Sequence, residues 1–129
     1  MAHDSSQLSA EVLAFLAERH LGMLTTVRAD GSLHVCTVGF MYDPAVQMVR
    51  VITWAAAQKA RNAARGGRAA VGQVDGPRWL SLEGPVRVAA DPASISAGVE
   101  AYARRYRPPK VRDDRVVIEI KVERVLGRA

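Results

Sequence analysis

The chain has 129 residues, of which 49% are hydrophobic and 24% are charged, a composition that fits one globular domain and excludes wholesale disorder. Eighteen Lys and Arg residues against thirteen Asp and Glu residues give a formal net charge of +5. That excess favours anionic partners, such as nucleic acid, an acidic membrane surface or an anionic small molecule. The single cysteine, Cys36, excludes an intramolecular disulfide and a metal site built from several cysteines.

The sequence gives no sign of membrane insertion or secretion. No apolar run reaches the roughly 18 residues that are needed to span a bilayer. The first residues lack the basic start and apolar stretch of a signal peptide. We therefore expect a soluble, cytoplasmic protein with no membrane partner.

The first part of the chain predicts one helix followed by three strands. Ser9 is expected to be the N-cap of the helix, whose apolar pattern stops near His20. The strands are expected over residues 21–27, 32–42 and 47–54. Because short turns at Asp30-Gly31 and Asp43-Pro44 join them, they should form an antiparallel meander rather than βαβ units.

The second part predicts two more helices and three more strands. A small basic helix begins at Gln58 and ends at Gly66-Gly67, and a longer helix begins at Asp91-Pro92. The strands are expected over residues 69–74, 78–89 and 116–123, with a bend at Gly84-Pro85 and Glu119 pointing outward. Six strands and two or three helices within residues 1–129 predict a mainly β (α+β) domain. A closed or nearly closed antiparallel barrel is the expected form, since closure removes exposed strand edges.

The junction between the third strand and the basic helix is the clearest candidate for ligand binding. Three alanines, Ala55 to Ala57, lead into a helix whose first turns carry Lys59 and Arg61. Cations there oppose the helix dipole by a few tenths to about 1 kcal/mol, whereas a bound anion would reverse that balance. The small alanines would let a phosphate approach the backbone. From these residues alone, an ordinary solvated helix start remains an open alternative.

Trp79 is unusual because its strand otherwise alternates cleanly. Leu80 and Leu82 share one face, while Trp79 shares the other with Ser81 and Glu83. The indole is therefore expected to be exposed unless a helix or loop covers it. Exposed apolar surface usually marks an interface or a ligand site.

Other kinds of chemistry find little support. His34 and Cys36 share a strand face, but two ligands do not make a metal site, and we expect no metal. Phosphate-loop, dinucleotide-binding and nucleophile-elbow motifs are absent, and no acid-base pair can be assigned, so the catalytic residues are unknown. That pattern suits a protein whose reactive centre belongs to a cofactor. Aromatic residues make up only 5% of the chain and do not alternate with a basic stripe, which argues against a nucleic-acid partner.

Several segments together resemble the pyridoxamine-phosphate-oxidase-like split β-barrel superfamily. They are the Leu-Gly-Met-Leu-Thr-Thr strand at 21–26, the His-Val-Cys-Thr-Val-Gly-Phe strand at 34–40, and the Arg-Val-Ile-Thr segment at 50–53 that leads to Gln58-Lys59. Within it the chain resembles the flavin/deazaflavin oxidoreductases that use coenzyme F420, above all the biliverdin reductase type. That closer similarity lies in the segments at 73–84 and 115–119, which include Arg-Trp-Leu-Ser-Leu-Glu-Gly.

The resemblance implies a homodimer with two cofactor sites between its subunits. The tricyclic ring would lie against the strand from Val35 to Phe40, and Trp79 would come from the partner subunit. The implied cofactor-binding residues are Val35, Cys36, Thr37, Val38, Gly39, Thr53, Gln58, Lys59, Asn62 and Trp79, of which Thr53, Gln58, Lys59 and Asn62 would hold the phosphate. A basic groove for the polyglutamate tail of F420 is expected from Arg61, Arg65 or the region 104–112.

The implied function is that of an oxidoreductase. A hydride would pass from C5 of reduced F420 to a conjugated small-molecule acceptor such as biliverdin. Two alternatives stay open at this point. FMN could replace F420 in an oxidase or reductase of the same fold, or a non-catalytic protein could carry F420 or a tetrapyrrole.

Overall fold

Nine antiparallel strands and three helices form the computed structural model, which describes residues 1–129. The strands are β1 (Ala2–His3), β2 (Gly22–Val27), β3 (Leu33–Val38), β4 (Met41–Asp43), β5 (Met48–Trp54), β6 (Arg68–Asp75), β7 (Arg78–Ala89), β8 (Arg115–Lys121) and β9 (Arg124–Arg128). The helices are α1 (Ala10–Ala17), α2 (Gln58–Ala64) and α3 (Pro92–Arg105), and none is long and apolar enough to cross a membrane. The strands pair in the order β3-β2-β6-β7-β8-β5-β4, with β9 added to β7 and β1 added to β9. The predicted mainly β barrel class is confirmed.

The strand expected over 32–42 is divided into β3 and β4 by contacts with α3. The hydroxyl of Tyr106 accepts a hydrogen bond from the Phe40 N–H at 3.1 Å and lies 3.0 Å from the Phe40 carbonyl oxygen. The side chain of the residue that ends α3 thus makes the backbone hydrogen bonds that a neighbouring strand would otherwise make. This division, together with the short strands β1 and β9, accounts for nine strands where six were expected.

β7 connects the two halves of the barrel because its partner changes along its length. Arg78 to Pro85 pair with β6, whereas Val86 to Ala89 pair with β8. A Cβ on Gly84 would overlap the carbonyl group of Lys121, so the close approach of these strands requires glycine. The bend that Gly84-Pro85 predicts coincides with this change of partner.

The barrel interior holds one cluster of 18 buried apolar residues. Phe15 comes from α1, whereas Leu24, Phe40, Leu82 and Ile118 come from the barrel wall, and all five are at most 1% exposed. Burying each side chain of this size stabilises the fold by about 1.5–3 kcal/mol. The cluster therefore holds the strands and the α2 helix in fixed positions relative to one another.

β8 is buried on both of its faces, which its alternating sequence does not predict. α3 packs closely over one face through Gly98, at which a Cβ would press on Ile52 and Val117. Glu119 lies on the same face as Val117 and is only 4% exposed, so the expectation that it points outward is wrong. Arg87 pairs with its carboxylate at 2.7 Å, which offsets the cost of burying the charge.

Candidate functional site

The junction between β5 and α2 has the features of an anion site. β5 ends at Trp54, three alanines follow, and α2 begins at Gln58. Its N-cap is Ala57, which has no side-chain acceptor, so the first N–H groups of the helix have no capping partner. Lys59 is half-buried in the first turn, and its Nζ lies 4.9 Å from the centre of the Trp54 ring. Free N–H groups beside a held ammonium are suited to a phosphate.

Thr53 adds an unsatisfied hydroxyl to this junction. The residue is 1% exposed, and its Oγ1 has no hydrogen-bond partner within the protein. A buried polar group without a partner costs roughly 1–3 kcal/mol, so such groups call for an explanation. A phosphate-bearing cofactor at the β5–α2 junction fits the residues that are present there.

Gln58 and Asn62 belong to an internal hydrogen-bond network. Gln58 Nε2 donates to Asn62 Oδ1 at 2.7 Å, and Asn62 Nδ2 donates to the hydroxyl of Thr26 on β2 at 3.0 Å. Arg65 Nη2 also donates to Asn62 Oδ1, at 3.0 Å. Asn62 is 2% exposed, and its hydrogen bonds connect α2 to β2 and hold the side chain of Gln58 in position.

The residues of β3 point alternately into the barrel and out of it. Val35 and Thr37 are exposed on the outside, with Val35 at 53%. Cys36 packs against the interior cluster and Val38 is a member of it. A Cβ on Gly39 would press on the rings of Tyr102 and Tyr106, so that side of Gly39 is covered by α3. Of the β3 residues expected at the cofactor, only Val35 and Thr37 therefore present their side chains to a ring laid on the outside of the strand.

Trp79 is 41% exposed and no helix covers it. It pairs with Val74 across β6 and β7, and Val74 is 67% exposed. These two residues belong to what we call the outer sheet face, a set of exposed apolar side chains on β2, β3, β6 and β7: Met23, Val27, Leu33, Val35, Val74 and Trp79. An apolar surface of this kind is typical of a protein or ligand interface.

Two arginines gather around Trp54: Arg112, which belongs to the region 104–112 named above, and Arg115, which the sequence did not assign to this site. The guanidinium of Arg112 lies 4.9 Å from the centre of the Trp54 ring, and Arg115 faces Trp54 across the β5–β8 pair. Arg61 and Arg65 instead bond within the α2 region, to Gln58 and to the Val27 carbonyl. The sequence signal for this cluster is the concentration of basic residues that follows Pro108-Pro109, after the end of α3.

An ion-pair cluster lies near the C-terminal end of α1. Both carboxylate oxygens of Glu18 accept hydrogen bonds from Arg78 at 2.8 Å, and Arg78 also bonds to Asp75. His20 lies 2.9 Å from Glu18. The bonds from Arg78, followed by that from His20, lower the pKa of Glu18 from 4.5 to about 2. Although Glu18, His20 and Asp75 are close enough to share an ion, Arg78 already supplies the cation they face.

Comparisons with known proteins agree with this architecture. The family model for pyridoxamine 5′-phosphate oxidase matches residues 8–129. A protein of Mycobacterium tuberculosis (strain CDC 1551 / Oshkosh), named F420H2-dependent biliverdin reductase, is 53% identical over 129 residues, which is 100% of this chain and 94% of that protein. The solved structure of an F420 reductase has a TM-score of 0.74 at 26% identity and covers 93% of this chain and 98% of that chain. A conserved hypothetical protein of M. tuberculosis shares the fold with a TM-score of 0.80 at 23% identity, over 95% of this chain and 84% of that chain.

Proposed function

The chain belongs to the pyridoxamine 5′-phosphate oxidase family, and we propose that it is an oxidoreductase that uses reduced coenzyme F420 to reduce biliverdin or a related conjugated tetrapyrrole. The observation that carries the proposal is the β5–α2 junction, where an uncapped helix start, the unpaired Thr53 hydroxyl and Lys59 come together. Identity of 53% over the whole chain to a protein named for this activity supports the choice of cofactor and acceptor.

The cofactor phosphate would be held by this chain's own groups at the junction. The N–H groups at the start of α2 and the ammonium of Lys59 supply positive charge, and Thr53 and Gln58 supply polar contacts. Asn62 acts indirectly, since its buried amide fixes Gln58. Each charge-assisted contact of this kind contributes about 1.5–3 kcal/mol.

We also propose that two copies of the chain pack through the outer sheet face. Four strands form this surface, and the residues at its centre, such as Ala70, Gly72 and Ser81, are small, so a second sheet could approach closely. Val35 and Thr37 on β3 would then meet the cofactor ring, and Trp79 would reach the site of the partner subunit. This arrangement would bury apolar side chains that are exposed to water in the single chain.

When bound, reduced F420 supplies a hydride from C5 of its deazaflavin ring. The chain's own residues bind the phosphate, orient the ring against β3 and, in the dimer, exclude water from the reacting faces. Correct placement of two reactants is itself worth several kcal/mol, up to about 7–11 in the best cases.

FMN is the second candidate cofactor, because it is consistent with the fold of the pyridoxamine 5′-phosphate oxidase family to which the chain belongs. Parallel fluorescence titrations of the protein with F420 and FMN separate the two, and the proposal predicts tighter binding of F420. Preference for FMN would overturn the choice of cofactor. Binding of F420 without turnover over a panel of acceptors would instead support a carrier.

A further inference from the structure

A buried series of polar side chains runs from the inside of β2 to the first turn of α2. The amide nitrogen of Asn62 donates to the hydroxyl of Thr26 at 3.0 Å, and the amide nitrogen of Gln58 donates to Asn62 Oδ1 at 2.7 Å. Thr26 is 1% exposed and Asn62 is 2% exposed, so both lie out of reach of water. Thr26 is therefore connected to Gln58, at the proposed phosphate site, through a single intermediate side chain.

Arg65 fixes which way round the Asn62 amide lies. Its Nη2 donates to Asn62 Oδ1 at 3.0 Å and to the carbonyl oxygen of Val27 at 2.8 Å. A guanidinium only donates, so the amide nitrogen of Asn62 cannot take the place of its oxygen there. The nitrogen must therefore face β2, where the Thr26 hydroxyl is its acceptor. Without that hydroxyl the nitrogen would be buried with no partner, and Asn62 would have to move.

The orientation of Asn62 determines that of Gln58 in the same way. Because Asn62 Oδ1 accepts, the Gln58 amide turns its nitrogen towards Asn62 and its Oε1 towards Arg61, whose Nη2 donates to it at 2.6 Å. A reversed Gln58 amide would oppose its nitrogen to the Arg61 guanidinium and its oxygen to Asn62 Oδ1, which are two repulsive contacts. Gln58 therefore has one preferred orientation.

Attachment of α2 to the barrel does not by itself explain these polar residues. Ala60 and Ala63 already pack the helix against the barrel, at 2% and 1% exposure. Apolar side chains at positions 26 and 62 would add to that contact without the cost of removing an amide and a hydroxyl from water. The polar residues add direction, since a fully paired buried network fixes the orientation of each of its members.

The network also holds the first turn of α2 without using its backbone N–H groups. An N-cap side chain would normally accept hydrogen bonds from these groups, and Ala57 has no acceptor to offer. The bond between Gln58 and Asn62 joins the first turn to the second through side chains instead. The N–H groups stay available to the cofactor phosphate, and the network sets how the turn faces it.

We propose that Thr26 is a positioning residue of the cofactor site, which acts through Asn62 to orient Gln58. The inference rests on the proposed function, because it takes the phosphate to lie at the β5–α2 junction. Thr26 itself would touch no cofactor, since it is buried on β2 beneath Asn62. Its substitution should therefore change the affinity for the cofactor only as long as Gln58 is present.

Thr26→Val tests the proposal, because it keeps the shape of the side chain and removes the hydroxyl. Two-dimensional NMR of the side-chain amide groups in the ligand-free protein should show the Asn62 and Gln58 signals shifting together, and Thr26→Ser should restore both. Thr26→Ala, which needs no room for a second methyl group, replaces Thr26→Val if that variant does not fold. A Gln58 signal that stays in place while that of Asn62 shifts would overturn the proposal.

Fluorescence titrations with F420 and FMN give the second readout. Thr26→Val should lose roughly fivefold or more in affinity for the cofactor that the wild type prefers, and Thr26→Ser should stay within about twofold of the wild type. In a Gln58→Ala background, Thr26→Val should change the affinity by less than about twofold, since the residue through which it acts is gone. Equal losses with and without Gln58 would mean a merely structural role and would overturn the proposal.

Val12→Ala is the control for general destabilisation. It removes two methyl groups from the buried face of α1, so it weakens the barrel interior without touching the network, and it should bind the cofactor as the wild type does. A loss of affinity in Val12→Ala equal to that in Thr26→Val would contradict a positioning role. If the wild type binds neither cofactor, the proposed function fails, and the NMR measurement still decides whether Thr26 orients Gln58.

Discussion

The ammonium nitrogen of Lys59 lies 4.9 Å from the centre of the Trp54 indole, across the junction that joins β5 to α2. A cation over an aromatic face gains about 0.5–1 kcal/mol at an exposed site and more where water is excluded. Trp54 therefore holds Lys59 near the uncapped end of α2, where a phosphate would need it. Trp54 is 39% exposed, and the guanidinium of Arg112 also lies 4.9 Å from the centre of its ring.

Lys59→Ala should weaken binding of F420 by roughly 1–3 kcal/mol, because it removes one charge-assisted contact with the phosphate. Fluorescence titration of wild type and variant measures the difference. Lys121→Ala, at the far end of β8, removes the same charge and should leave the affinity unchanged. An unaltered affinity in Lys59→Ala would remove this residue from the cofactor site.

Val74→Asp should convert a dimer into a monomer. The substitution places a charge on the outer sheet face, beside Trp79, where burial against a second copy would leave it unpaired. Sedimentation velocity measures the change, and Val46→Asp in the β4–β5 turn is the control, since Val46 is also exposed but lies off that face. A wild type that is monomeric at all concentrations, or a Val74→Asp protein that stays dimeric, would contradict the proposed interface.

Arg105→Ala should lower the free energy of unfolding by about 2–3 kcal/mol. The Arg105 guanidinium donates to the carbonyl oxygens of Glu18 and Phe40 and to the buried side chain of Gln73, so the variant removes three hydrogen bonds and leaves the Gln73 side-chain oxygen without a donor. Urea denaturation measures the loss.

The neighbouring Arg104 provides the control for this prediction. It is exposed and makes no side-chain hydrogen bond, so Arg104→Ala should change the free energy of unfolding by no more than about 0.5 kcal/mol. Similar losses in the two variants would mean that the bonds of Arg105 contribute little.

The Glu18–Arg78 pair should give the protein an acid-sensitive component of stability. The pKa of Glu18 falls from 4.5 to about 2 on folding, so the ionised form is favoured in the native state. Its contribution is complete above about pH 4.5 and is lost as the pH falls towards 2. Thermal unfolding of Glu18→Gln should consequently depend less on pH in this window than that of the wild type. Glu11→Gln, an exposed and unpaired position on α1, should behave like wild type, and parallel curves for all three proteins would refute the assignment.

Local signals in the sequence predict the parts of the fold that depend on neighbours along the chain. Asp91 caps α3 by accepting the N–H of Ser94, as the Asp-Pro pair indicates, and Gly31 adopts the positive φ of 86° that the Asp30-Gly31 turn needs. The exposure of Trp79 also follows from simple alternation along β7. These features require no knowledge of the rest of the molecule.

Contacts with α3 account for what the sequence does not predict. Tyr106 interrupts the strand at Phe40, and Gly98 lets α3 cover β8, so that Glu119 lies inside. The contact of Arg112 with Trp54 likewise requires β5 and β8 to be neighbours. The periodicity of apolar residues describes one helix or strand at a time. It therefore does not predict these contacts, which join elements that are distant in sequence.

The most direct measurement of the proposed function is anaerobic turnover of reduced F420 with biliverdin in the presence of the protein. We expect oxidised F420 to appear in step with the loss of biliverdin, one for each acceptor molecule reduced, and to appear far more slowly with Lys59→Ala at limiting cofactor. Oxidation no faster than in the protein-free control, with FMN bound in preference to F420, would contradict the assignment of this chain as an F420-dependent reductase.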